Sequence, residues 1–313
     1  MKKKYIIANV VLLMLLIAYL YPTPRHTFKE LYKGSEDDKL ALLDSVRALP
    51  LKSVTIDGKQ WNYLAAGNGK ESIIFLHGMA GGYDIWWQQI SAFKNKYRII
   101  TLTYPPAGSL SEMGNAVIKI LDNENIASTN VLGSSLGGYF AQYLKTTYPD
   151  RFKKAVFANT FPPNSIYKEK NGTTASIARF LPEWLVMVAF RGNIRSKVIP
   201  TSENSPLAEA YLLEQSYGGM SKKQFLSRYL CVVDSFVPSK ELTSSNDILL
   251  IESDNDPLIF PELRQQLKEL YPAARLYTFK GKGHFPYLNE TGQYNKVIGE
   301  FFESSGMEVF YNR

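Results

Sequence analysis

The chain reads as an α/β fold, a mostly parallel eight-stranded sheet with helices on both faces, and three features of its 313 residues predict it. Short apolar runs bounded by turn residues alternate with stretches of helical periodicity. One run, ending in Val131-Leu132, passes through Gly133-Ser134-Ser135-Leu136-Gly137 into a helical pattern, a strand-turn-helix arrangement that can expose a central serine. A long helical stretch, Phe161 to Phe236, separates the sixth and seventh strands and exceeds a simple crossover.

The first 24 residues are expected to meet a membrane. Lys2, Lys3 and Lys4 precede Tyr5 to Tyr21, a run whose only strongly polar member is Asn9, which fits a signal peptide or a short spanning segment. No Ala-x-Ala lies near Ile17 to Pro24, so a single uncleaved N-terminal anchor is expected, with secretion the outcome if it is cut. The lysines hold the N-terminus in the cytoplasm and send the folded domain across, an extracytoplasmic placement. Residues 25–50 supply a linker and a helix from Ser35 to Leu49, with Ser35 as N-cap and Leu40, Leu43 and Val46 on one face before Pro50.

The first part of the core is expected over residues 51–160. Ser53 to Ile56 and Trp61 to Ala65 flank Asp57-Gly58 as a hairpin, and Ser72 to Leu76 is the first buried strand. Trp86 and Trp87, in the helix that follows, read as core. Further strands fall near 98–102, 129–133 and 154–158, and Tyr139, Phe140, Tyr143, Leu144 and Tyr148 mark a helix from Leu136 that stops before Pro149. Residues 161–236 form a helical cap. Its helices run from Pro182 to Arg191 closed by Gly192, from Pro206 to Ser216 with Ser205 as cap, and from Lys222 to Phe236 opened by a Ser221 to Gln224 capping box. The second part of the core, 237–313, holds strands near 247–251 and 275–279 and a last helix.

Ser135 is the candidate nucleophile. A serine hydroxyl is weak at neutral pH and needs a base within hydrogen-bond reach and a carboxylate to orient that base. Glycines at 133 and 137 remove side chains that would collide at a sharp turn. The chain has three histidines: His26 just after the N-terminal run, His77 at the end of an early strand, and His284 next to Gly283, between a late strand and the last helix. Asp254 and Asp256 compete for the acid in the segment after Ile248 to Ile251. Attack on a carbonyl creates an oxyanion, which needs backbone amides aimed at it. The amide of Leu136, directly after the serine, and that of Met79, within His77-Gly78-Met79-Ala80-Gly81-Gly82, are the candidates.

Over residues 52 to 303 these motifs, in this order, resemble the α/β-hydrolase superfamily. The resemblance implies the chain order Ser135, Asp256, His284, and it leaves His77 to shape the oxyanion loop. Ser253-Asp254-Asn255-Asp256-Pro257-Leu258-Ile259 is similar to the superfamily's Gly-x-x-Asp-Pro-Leu-Val pattern with Ser253 in the glycine position, which favours Asp256 over Asp254. More narrowly, Tyr104-Pro105-Pro106, Ala158-Asn159-Thr160-Phe161, Leu270 to Arg275 and Gly283 to Leu288 look like the maspardin group. That group implies a partner-binding role and an incomplete triad, whereas the histidine and aspartate here favour an enzyme. The loop Thr103 to Ser109 lacks the aspartate of the Asp-x-x-Gly-x-Gly-x-Ser pattern found in many members, and the elbow residue is serine. Both departures argue against epoxide-hydrolase or dehalogenase chemistry. The resemblance therefore implies a serine hydrolase acting on an ester or related acyl substrate through an acyl-enzyme. The alternative is a non-catalytic fold of this kind that binds a protein partner through its cap.

Composition narrows the remaining classes. An apolar fraction of 45% supports one large domain with a sizeable core. Three of the net seven positive charges sit in the first 24 residues, and the remaining basic residues are scattered, so no nucleic-acid partner is expected. Cys231, the single cysteine, reads as a buried thiol in an apolar helical stretch. No Cys/His cluster has metal-ligand spacing and no phosphate-binding glycine loop occurs, so neither metal nor cofactor is expected. Of Trp184, Met187, Phe190, Tyr211, Phe225 and Tyr229, one or two are expected to line an acyl pocket while the others hold the cap to the core.

Overall fold

The computed structural model describes residues 2–304. Eight strands, β1 Lys52–Ile56, β2 Lys59–Ala66, β3 Glu71–Leu76, β4 Tyr97–Thr103, β5 Thr129–Ser134, β6 Phe152–Ala158, β7 Ile248–Ser253 and β8 Arg275–Phe279, form one sheet in the order β1-β2-β4-β3-β5-β6-β7-β8. β1 pairs antiparallel with β2, and β2 with β4; every later pairing is parallel. The expected fold class and its strands are present. Asp57 and Gly58 take φ of 49° and 73°, the left-handed turn whose twist suits a two-residue hairpin.

Side-chain alternation sorts the central strands into two apolar layers. Ile73, Phe75, Leu132, Val156, Leu249 and Ile251 meet Trp86, Trp87, Ile90 and Phe301 on one face. Ile74, Leu76, Val131, Ala155, Phe157 and Leu250 meet Met113, Val117, Phe140 and Leu263 on the other. Helices Trp87–Phe93 and Thr291–Glu303 cover the first layer; Leu110–Asn123, Leu136–Thr147 and Pro261–Leu270 cover the second. With both faces covered, the parallel strands are apolar almost throughout. At the antiparallel edge a buried carboxylate, Glu124, accepts from Lys52 Nζ at 2.8 Å and Tyr63 Oη at 2.7 Å and pairs with Arg98, tying β1, β2 and β4 together.

A helical insertion separates β6 from β7, with helices Ile166–Ala178, Glu183–Asn193, Pro206–Glu214 and Lys222–Val233. Ser205 accepts from the Ala208 amide, and Ser221 and Gln224 close a capping box, as their sequence positions predict. Several expected boundaries differ. Helix Ile166–Ala178 was not expected; it buries none of its side chains and carries no apolar stripe. Gly192 does not end its helix, which runs to Asn193 and into a π-helical turn, Ile194–Val198. The next helix stops at Glu214, ahead of a second such turn, Gln215–Gly219. Near the N-terminus the expected helix begins at Asp37, with Glu36 in place of Ser35 at its N-cap.

The expected membrane anchor and extracytoplasmic placement are corrected. Among the described residues no helix is long and apolar enough to cross a membrane. The first helix, Lys2–Leu20, has 19 residues of which the first three are lysines. Its apolar part extends about 24 Å at 1.5 Å per residue, short of a hydrocarbon core of about 30 Å. Its last turn is tied instead to the insertion, where Trp184 Nε1 donates to the Ala18 carbonyl at 2.7 Å. Residues 305–313, part of the expected second core segment, lie outside the described residues, as does Met1.

Replacing Glu124 by alanine removes the shared partner of Tyr63 and of the partly exposed Lys52 and Arg98 and is expected to destabilise the fold by about 1 kcal/mol, as read from the midpoint of urea unfolding at constant m.

Candidate active site

β5 ends at Ser134 and the next helix starts at Leu136, so the chain turns at a single residue. Ser135 has φ 57° and ψ −124°, a conformation that L residues avoid and that persists only where the surroundings enforce it. A Cβ on Gly133 would stand 2.0 Å from the Gly137 carbonyl oxygen, and one on Gly137 2.0 Å from that of Leu76. The two glycines of Gly-x-Ser-x-Gly are thus required by close backbone approach. The Ser135 amide donates to the Ala158 carbonyl at 3.0 Å, and its own carbonyl accepts from Thr160 Oγ1 at 2.7 Å. These two bonds hold the strained residue against the end of β6. Ser135 is partly exposed while its neighbours on both sides are buried.

Asp256 follows β7 and His284 follows β8. His284 Nδ1 lies 2.8 Å from Asp256 Oδ2 and 3.0 Å from Oδ1, and the two side chains are 2% and 1% exposed. With Nδ1–H donated to the carboxylate, Nε2 is the free ring acceptor. Asp256 Oδ1 also accepts from the amides of Leu258 at 2.9 Å and Ile259 at 3.2 Å. Asp254 points elsewhere, accepting from the Gly281 amide at 2.8 Å and lying 3.7 Å from Lys280 Nζ. The structure therefore brings Asp256, and not Asp254, to His284. Among the described residues no hydrogen bond joins His284 to Ser135.

His77 is buried beneath the loop that follows β3. Its Nδ1 lies 2.6 Å from the Gly78 carbonyl oxygen, its Nε2 accepts from the Tyr104 amide at 3.4 Å, and its ring stacks on Tyr104 with centroids 3.9 Å apart. Burial, reinforced by the charge of Arg228, holds its pKa well below the usual histidine value, so it stays neutral. His26, on the N-terminal segment, lies 3.7 Å from Glu30. The loop passes close to the serine: a Cβ on Gly78 would be 3.0 Å from Ser135 Cβ and 3.6 Å from Oγ. The amides of Met79 and Leu136 have no acceptor within the chain among the described residues.

The sequence profile of the alpha/beta hydrolase fold matches residues 71–291. The chain belongs to the α/β-hydrolase fold family. Maspardin from Danio rerio is 26% identical over 259 residues, which cover 80% of this chain and 81% of that protein. Two solved structures share the fold: a hydrolase from Pseudomonas aeruginosa, with TM-score 0.71 and 18% identity over 82% of this chain and all of that one, and the enol-lactonase from Burkholderia xenovorans, with TM-score 0.68 and 16% identity over 81% of this chain and all of that one.

In this α/β-hydrolase the sequence reading missed Asn159. It follows β6 at φ 43° and is buried, and its Nδ2 lies 2.9 Å from Asp256 Oδ2, 3.3 Å from the Gly283 carbonyl oxygen and 3.4 Å from Ser253 Oγ. An asparagine directly after a buried strand, tolerant of the left-handed region, was the available signal. Burial raises the Asp256 pKa, but the charge and hydrogen bond of His284, the Asn159 amide and the Leu258 N–H outweigh it, and the net shift is below the ordinary carboxylate value.

The loop bearing His284 is clasped by the insertion. Lys282 pairs with Glu203 at 2.8 Å and Glu290 at 2.9 Å, Asn255 Nδ2 donates to the Thr201 carbonyl at 2.8 Å, and Asn289 Nδ2 donates to that of Ser202 at 3.3 Å. Of the six aromatic and methionine residues among which one or two were expected to line an acyl pocket, Met187 and Tyr211 are fully buried. Tyr211 Oη donates to Asp84 at 2.6 Å, and the Phe190 ring packs at a tilt against Phe225 with centroids 5.0 Å apart. Trp184 holds the first helix, and Tyr229 Oη donates to the Tyr167 carbonyl at 3.3 Å.

Asn159→Ala is expected to lower stability by about 2 kcal/mol at pH 7, measured by chemical denaturation. The depressed folded-state pKa of Asp256 contributes stability above its unfolded value of about 3.9 and loses it as pH falls through the folded value. The gap between wild type and Asn159→Ala is therefore expected to shrink below about pH 4.

Proposed function

We propose that this protein is a serine hydrolase acting on an ester or related acyl substrate with an apolar acyl part. The observation that carries the reading is the buried His284–Asp256 pair, placed with a strained, partly exposed Ser135 at the carboxyl ends of β5, β7 and β8. Ser135 Oγ attacks the carbonyl carbon while His284 Nε2 takes its proton, and Asp256 orients the ring and stabilises the imidazolium. The amides of Met79 and Leu136 receive the oxyanion. Collapse of the tetrahedral species breaks the bond to the leaving oxygen, which takes the proton from His284 and leaves an acyl-serine. Water deprotonated by the same histidine then releases the acid and restores Ser135. Residues 161–236 act as a cap over a core made of 51–160 and 237–313. The enol-lactonase of the same fold supports acyl chemistry on such a scaffold.

A second reading, a non-catalytic protein that binds a partner through its cap, is favoured by the exposed apolar residues Phe180, Val188 and Leu230 on the insertion and by the similarity to maspardin.

Incubating the full chain with a fluorophosphonate probe separates the two. Labelling is expected in wild type and lost in Ser135→Ala and His284→Ala. Turnover of a p-nitrophenyl ester is expected to fall on the order of a millionfold in those variants and about ten-thousandfold in Asp256→Asn. No labelling of well-folded wild type would favour the partner-binding reading.

A further inference from the structure

Arg228 lies on the insertion helix Lys222–Val233 and is 2% exposed. Its hydrogen bonds go to backbone carbonyls rather than to a carboxylate. Nη1 donates to Met79 O at 2.6 Å and Gly81 O at 3.0 Å, with Met220 Sδ at 3.1 Å, and Nη2 donates to Tyr104 O at 3.2 Å. Nε has no partner. Gln224, one turn earlier on the same helix, donates to Tyr104 O at 3.2 Å. The guanidinium carbon sits 5.7 Å from the Tyr104 ring, which stacks on His77.

Burying a cation without a counter-charge is unfavourable, and a neutral amide donor could hold these carbonyls without that cost. What a cation adds is positive potential in a low-dielectric setting. In the proposed reaction negative charge develops on the substrate oxygen beside Ser135, against loop 78–81. The carbonyls of this loop are held from behind: His77 contacts Gly78 O, and Arg228 holds Met79 O and Gly81 O. A carbonyl so polarised sharpens the N–H of its own peptide: that of Met79 for Gly78 O, of Ala80 for Met79 O and of Gly82 for Gly81 O. The amides of Met79 and Ala80 have no acceptor in the chain among the described residues, whereas that of Gly82 donates to Tyr211 Oη at 3.2 Å.

We propose that Arg228 is a positioning residue of the oxyanion site, fixing loop 78–81 from the insertion and keeping a positive charge on the loop that carries the Met79 amide. Burial lowers its pKa to about 10, so the charge persists at neutral pH.

The proposal rests on the serine-hydrolase reading, and one experiment distinguishes the two. Full-length wild type, Arg228→Gln and Arg228→Lys are compared after active sites are counted with a fluorophosphonate. The measured quantities are kcat and KM for p-nitrophenyl butyrate and the Ki of phenylboronic acid, which forms a tetrahedral anionic adduct with an activated serine. Arg228→Gln keeps amide donors and loses the charge; it is expected to lower kcat per labelled site about 100-fold and weaken the boronic acid by a similar factor, with KM within about threefold. Arg228→Lys, which restores the charge with poorer geometry, is expected to lose only about tenfold in both. Per-site kcat and Ki equal to wild type in Arg228→Gln, or equal losses in Arg228→Gln and Arg228→Lys, would overturn the proposal and reduce Arg228 to a brace. Wild type that neither labels nor hydrolyses the ester would overturn the serine-hydrolase reading beneath it.

Discussion

At the end of β5 three stretches of backbone approach so closely that no Cβ fits between them. The carbonyl of Leu76 at the end of β3, the strand residue Gly133 and the first helical turn at Gly137 occupy one small volume. Pairing of Leu76 with Gly133 and of Ser134 with Ala158 fixes the register on both sides of this crossing. Ser135 has no relaxed alternative once the crossing forms. Its conformation is sustained by bonds to Ala158 and Thr160, and Asn159 between them reaches Asp256. The three residues at the end of β6 thus steady the serine and the carboxylate together.

The sheet was legible because its central strands are short apolar runs with turn residues at their ends, and a strand buried on both faces needs little else to be recognised. The elbow was legible because close backbone approach demands glycine in positions that the sequence displays. The acid was only half legible. Asp254 and Asp256 differ by two residues, and the choice depends on which reaches across to the loop after β8. Asn159 was missed because its role depends on contacts 97 residues away in sequence, which no local pattern records.

The insertion was the least legible part. Its first helix has no buried face, and two π-helical turns shift the periodicity from which helix ends are read. The N-terminal run misled for a related reason: its composition suits a membrane span, but its apolar length falls short of one. Farther along, Arg47 bonds both Asp84 and Glu214, while Glu214 accepts from the Phe28 amide at 2.8 Å. Charge pairing between distant segments, invisible to hydropathy, fastens this N-terminal region to the core and to the insertion.

The bonds from Lys282, Asn255 and Asn289 to residues 201–203 carry a mechanical consequence. They join the insertion to the segments on either side of His284, so residues 201–203 cannot swing away without either breaking those bonds or dragging the imidazole off Asp256. Only the second of these routes disturbs the His284–Asp256 pair. The first leaves that pair in place and costs an exposed ion pair and two hydrogen bonds, so the insertion and the ring are coupled only while the clasp holds.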